Sequence, residues 1–176
     1  MNRAKQIKYI VVHCQAGHGT LKSVKDYWKN VHGWSSPGYA TWIDYDGTQT
    51  ALSKYNDPTN GVAGFNKQCL HLCYRGGVEV HDNVLKAKDT RTQAQKAAIL
   101  REILLMLDWL HQNGNDLKNV MIVGHYHFSD DKNKNGSIES WERIKECPSF
   151  DAYSEYAFLM LKENVLYSKL KLPKNR

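Results

Sequence analysis

The stretch VGHYHFSDDKNKNGSIESWERIKECPSFD, residues 123–151, leads from an apolar run through a long polar connection into a new amphipathic segment. The run at 120–123 reads as a buried strand ending at Gly124. Beyond it lie three soft-metal donors, His125, His127 and Cys147. Between them Asp131, Asn133, Asn135 and Glu142 have the spacing of a hard-cation loop. A connection this long inside a compact chain is either functional or unstructured, and its ligand content favours function.

Moving outward, residues 8–13 (KYIVVH) form a β-branched run that reads as a central strand with His13 at its end. A helix is expected over roughly 24–31 behind Ser23 as N-cap, with Val24, Tyr27, Trp28 and Val31 on one face. A strand at 39–45 turns at Asp46-Gly47, a hairpin signal, into a second at 48–52. Residues 54–66 lack periodicity and read as a surface loop, 69–74 as a strand closed by Gly76-Gly77, and 78–91 as a second polar loop. Thr92 with Gln95 makes a capping box that opens the longest helix, about 93–112. Its apolar stripe is Ala97, Ile99, Leu100, Ile103, Leu104, Leu107 and Leu110. A last helix is expected at about 151–162, before a basic tail at 164–176. Strands alternating with helices predict an α/β fold: a single domain with a central mixed β-sheet flanked by helices. The core spans about 7–163, with residues 131–142 as an insertion.

The 176 residues suffice for one well-buried core. No apolar run approaches the ~20 residues that span a bilayer, so no membrane insertion is expected. No signal peptide is visible after Met1, so synthesis in the cytoplasm is expected. The net charge of +6 suits an anionic partner. Its basic residues are scattered except in the tail, and no recognition motif is present, so nucleic acid is not an expected partner. Cys14, Cys69, Cys73 and Cys147 are too few and too unevenly spaced for a disulfide framework. The absence of a CxxC pair excludes a zinc ribbon.

Sites in α/β folds gather beyond the carboxyl ends of the strands. His13 and His125 both stand where a strand stops, and Cys147 enters from the far end of the loop. Two His and one Cys leave a fourth position open, the pattern of a catalytic zinc. Taken singly, each histidine reads as a hydrogen-bonded strand-end residue before it reads as a ligand.

Six segments, KYIVVHC, GWSSPGYATWIDYDGT, LCYRGG, KDTRTQAQKAAI, VGHYH and IKECPSFD, occur in this order. As an ordered set they resemble the type 2 N-acetylmuramoyl-L-alanine amidases, which include amidase-type phage lysozymes and are related to peptidoglycan recognition proteins. The resemblance runs from about residue 7 to 160 and implies that fold. It implies His13, His125 and Cys147 as zinc ligands, Tyr39 and Lys145 as catalytic residues, and peptidoglycan as substrate. The reaction implied is hydrolysis of the amide between N-acetylmuramic acid and L-alanine. A cytoplasmic enzyme of this kind would act on the cell wall after release, as an endolysin does. The rival reading is a non-catalytic peptidoglycan-binding module. Such relatives typically lose the zinc cysteine, so Cys147 together with Tyr39 favours an enzyme.

Three positions depart from the family pattern. Ala40 replaces a usual His, Gly61-Val62 replaces a frequent His-Ala, and Cys69-Leu70-His71 replaces a common Ser-Ile-Gly. All lie where glycan or peptide would bind, and His18, His71 and His127 are candidate replacement contacts. No family position supports His127 as a ligand.

Residues 131–142 match D-x-[DN]-x-[DN]-G-x5-E at every fixed position. Side-chain oxygens of Asp131, Asn133 and Asn135, the Ser137 carbonyl and a bidentate Glu142 are the expected calcium ligands, with Gly136 at the sharp turn. Calcium is therefore expected as a second cofactor beside zinc, ordering the insertion so that Lys145 and Cys147 reach the zinc site.

Overall fold

The computed structural model describes residues 2–161, so the basic tail at 164–176 lies outside the described residues. Strand β1 (Tyr9–Cys14) is buried along its whole length, because it has a parallel neighbour on each side. These neighbours are β4 (Cys69–Tyr74) and β7 (Met121–Gly124). Strand β2 (Thr41–Ile43) pairs parallel to β4, and β3 (Gln49–Ala51) returns antiparallel to β2. The resulting five-stranded mixed sheet has the order β3-β2-β4-β1-β7. Its four parallel strands deliver their carboxyl ends to one edge, as near-continuous apolar strands covered on both faces do.

Helix α1 (Leu21–Asn30) follows β1, and α2 (Gln93–Gln112) precedes β7. Helix α2 packs on β2 and β4, while the short α3 (Ala152–Glu155) packs on β7. Ile99, Ile103, Met106 and Leu110 of α2 share one core with Ile10, Val12, Leu70, Leu72 and Ile122 of the sheet. The capping box forms as the sequence requires. The Thr92 hydroxyl accepts from Gln95 N–H at 3.0 Å, and the Gln95 side chain accepts from Thr92 N–H at 3.1 Å.

Several expectations need correction. Helix α1 begins three residues before the expected start, with Thr20 rather than Ser23 as N-cap. Only Trp28 of its expected face is fully buried, and Tyr27 and Val31 are exposed. The strands about the Asp46-Gly47 turn are shorter than the alternation suggested. The loop expected at 78–91 holds a hairpin, β5 (Val78–His81) and β6 (Val84–Ala87), turned at Asp82 and Asn83 with φ of 51° and 60°. Two successive left-handed residues define a tight hairpin turn, which Asp and Asn tolerate. Helix α2 buries Ala98 and Met106, whereas Ala97 and Leu104 face solvent. The last helix is one turn of α-helix, continued by a 3-10 turn at Ala157–Leu159.

The α2 stripe also contains a carboxylate. Buried Glu102 accepts from the Thr41 hydroxyl at 2.5 Å, the Tyr55 hydroxyl at 2.7 Å and Gln49 Nε2 at 2.7 Å. A buried charge is tolerated when its lone pairs are met in this way. Arg91, just before α2, is similarly enclosed: it binds Asp89 and Glu155 and lies over the Phe150 ring at 3.2 Å. It thereby clips the α3 region to the start of α2.

Thr92→Ala removes the cap on α2 and the bond from the Thr92 hydroxyl to the Tyr45 carbonyl. It is expected to cost about 1 kcal/mol of unfolding free energy, read by chemical denaturation.

Candidate metal centre

Sheet register assembles the site. Val11 pairs with Val123 and Val12 with Gly124, so His125 emerges beside His13 on the next strand. Val11 also pairs with His71, and His13 lies two residues further along the same face. The His13 ring is therefore the hub, with ring centroids of His125 at 4.8 Å, Tyr39 at 5.0 Å and His71 at 5.2 Å.

Cys147 completes the cluster from the returning end of the long loop. Its Sγ lies 3.6 Å from His13 Nδ1 and accepts from the Cys14 backbone N–H at 3.3 Å. Three bonds secure this return. Tyr126 N–H donates to the Cys147 carbonyl at 2.9 Å, the Tyr74 hydroxyl to the Pro148 carbonyl at 2.6 Å, and the Ser149 hydroxyl to the Gly77 carbonyl at 2.7 Å. Pro148 packs so closely on Gly124 that a Cβ there would meet its ring at 2.4 Å. Glycine at the end of β7 is what lets the loop close over the strand.

The donor atoms of His13, His125 and Cys147 all lie within 4.8 Å of one another. Two ligands ~2.0–2.3 Å from a tetrahedral zinc stand about 3.3–3.8 Å apart, and the His13–Cys147 pair meets that spacing. Two imidazoles and a thiol are the donor set zinc prefers. Burial, then the proximity of His125, His71 and Lys145, holds His13 well below the usual histidine range, so it presents a neutral ligand nitrogen. Burial and neighbouring Cys14 push the Cys147 thiol up. A dication offsets that cost by holding the sulfur as thiolate. The residues fit the metal.

The cluster opens onto a groove. A cavity of about 540 Å³ on one side is lined by Tyr27, Trp28, Trp34 and Tyr39, and one of about 480 Å³ on the other by Val62, Asn66, Phe128 and Ile144. Both reach His32, Asn60, His125 and Lys145. The Lys145 side chain is exposed on the shared wall. The His32 and Trp34 rings stack at 4.6 Å. The role of Trp34 and His32 in these walls was not read from the sequence.

The candidate replacement histidines separate. His71 touches His13, with its Nδ1 3.1 Å from His13 Nε2. His18 instead faces the Tyr45 hydroxyl. His127 is buried against the Gly124 backbone, 3.1 Å from its nitrogen.

Residues 131–142 form a compact turn. The Asp131 carboxylate accepts from Asn135 and Gly136 N–H, Asn133 Oδ1 from Asn135 N–H, and Asn135 Oδ1 from Ser137 N–H. Buried Glu142 accepts from Lys132, Asn133 and Glu139 N–H at 2.7, 3.2 and 3.0 Å. Gly136, at φ 91°, takes the left-handed bend.

A mixed sheet with a donor cluster at the ends of its parallel strands defines an α/β protein with the fold of peptidoglycan recognition proteins and phage endolysin amidases. No family model matches the chain. It is 26% identical over 152 residues to an endolysin of Klebsiella phage KP32, spanning 85% of each chain. It superposes on bumblebee PGRP-SA with a TM-score of 0.62 at 13% identity, over 86% of this chain and 81% of that one. On the N-acetylmuramoyl-L-alanine amidase LysC of Clostridium intestinale URNW the TM-score is 0.59 at 18% identity, over 89% and 87%.

Burial pushes His127 down to about 4, against the opposing pull of its Gly124 bond and Asp151. In the unfolded chain a histidine protonates near 6.5. As pH falls from about 6.5 to 4 the unfolded state binds the extra proton, so stability is lost across that window. In metal-free protein, His127→Gln should flatten the pH dependence of unfolding free energy there, by up to about 1.4 kcal/mol per pH unit.

Proposed function

We propose that this protein hydrolyses the amide between N-acetylmuramic acid and L-alanine in peptidoglycan, with zinc held by His13, His125 and Cys147. The observation that carries this reading is the three-donor cluster opening onto a groove beside Tyr39 and Lys145. The endolysin and amidase relatives support it, and an endolysin-like role implies release from the cytoplasm onto the cell wall. When bound, zinc supplies a Lewis acid that lowers the pKa of water towards ~7 and polarises a carbonyl.

The protein residues supply the rest. The groove walls orient the glycan and the stem peptide so that the lactyl carbonyl faces the cluster. Lys145, on the exposed wall, places its ammonium where negative charge develops on that oxygen. Tyr39 acts as a hydrogen-bond donor. Burial, then the nearby Cys73, Cys147 and Cys14 thiols, pushes its pKa well up, so the hydroxyl keeps its proton. Water adds to the carbonyl carbon, the C–N bond breaks, and the proton leaves with the alanine amine.

On purified peptidoglycan the wild type is expected to release peptides with new alanine amino termini and no new reducing sugars. Cys147→Ser should abolish this while still binding the wall. A wild type that binds without cleaving would make the protein a recognition module. Lys145→Ala is expected to lower kcat about 10²–10³-fold with little change in thermal stability, since the side chain is exposed.

The same reading gives calcium to residues 131–142, through Asp131, Asn133, Asn135, the Ser137 carbonyl and Glu142. The motif is what suggests it; in the turn itself the Asp131 and Glu142 carboxylates accept from backbone N–H groups. Calcium there braces the segment that carries Lys145 and Cys147. In zinc-replete protein, EGTA is expected to lower both the thermal midpoint and the activity, and calcium to restore them. If both are indifferent to EGTA, the loop needs no ion.

A further inference from the structure

His71 stands on β4 with no exposed surface, and its Nδ1 is 3.1 Å from His13 Nε2. His13 turns its other nitrogen, Nδ1, to the Cys147 sulfur. A neutral imidazole that ligates through Nδ1 carries its proton on Nε2, so His13 donates and His71 Nδ1 accepts. The two rings come from adjacent strands one step apart on the same face, which makes the contact a consequence of sheet register.

A second observation concerns Gly61. A Cβ at this position would lie 2.4 Å from His71 Nδ1 and 2.5 Å from its Cγ. One volume beside His13 therefore admits a side chain from residue 61 or from residue 71, but not from both. The sequence places glycine at 61 and histidine at 71, so the imidazole fills that volume from the strand.

We propose that His71 is a positioning residue for the metal centre: it accepts the Nε2 proton of His13 and so holds the His13 ring with Nδ1 facing Cys147. This rests on the zinc reading above. An acceptor on the far nitrogen of a ligand histidine sets its tautomer and ring orientation and raises its basicity. Packing alone does not account for His71. Its own proton then resides on Nε2, which has no hydrogen-bond partner among the described residues, a cost that an apolar filler would avoid.

The test measures zinc affinity of the whole protein by chelator competition, together with the visible spectrum of the cobalt-substituted form. His71→Leu, which removes the acceptor, is expected to weaken zinc binding about 10–100-fold and shift the cobalt bands. His71→Asn, whose Oδ1 falls near the Nδ1 position, should recover most of the affinity. Gly61→His alone should lower the thermal midpoint by collision with the ring, and adding His71→Gly should restore both folding and zinc affinity. If His71→Leu does not fold, the asparagine variant and the double exchange decide. A His71→Leu protein with wild-type affinity and spectrum overturns this inference alone, as does a double exchange no better than Gly61→His. Wild-type protein that takes up no zinc overturns the zinc reading, and this inference with it.

Discussion

Parallel pairing of β1 with β7 is the constraint on which the site depends. Because Val12 stands opposite Gly124, the residue after each strand's last apolar pair is a histidine, and the two meet across one inter-strand spacing. A slip by one residue would turn His13 into the opposite layer of the sheet and separate it from His125. The energy that fixes this register is apolar: Ile10, Val11, Val12, Ile122 and Val123 are all fully buried. The chemistry is thus held in place by residues that take no part in it.

The third donor depends on a different mechanism. Cys147 belongs to no strand or helix, and its position relies on backbone carbonyls caught by Tyr126 and Tyr74 and on Pro148 seated against Gly124. The residues between His125 and Cys147 are long enough to wander, and most are exposed. Within them the turn at 131–142 draws the Asp131 and Glu142 carboxylates onto its own backbone. Arg143 then lies over the Tyr126 ring at 4.1 Å, joining the insertion to the segment after β7. The loop folds locally, and its last residues join the core.

Much of the fold was legible because its chemistry is local. The β-branched run at 9–14, the apolar run before Gly124 and the capping box of α2 each carry their own instructions. Features that depend on partners elsewhere were not legible. Glu102 looks like a solvent residue until Thr41, Gln49 and Tyr55 arrive from other elements. The hairpin at 78–87 was missed although Val78-Glu79-Val80-His81 alternates, and its Val80, Val84 and Leu85 are exposed and add no apolar face to the core. In the candidate site, spacing alone did not distinguish His125 from His127; the family resemblance did. The structure gathers His13, His125 and Cys147 and leaves His127 against the Gly124 backbone. The closeness of His71 to His13 was hidden because it follows from which strand pairs with β1, and in what register.

Three donors from two strand ends and one loop are proposed to form a single zinc centre. Metal analysis of the purified protein by inductively coupled plasma mass spectrometry, beside a His125→Ala variant, addresses it most directly. One zinc per chain in the wild type, lost in the variant, is the result expected. A wild type without zinc, or zinc retained in full without His125, would contradict it.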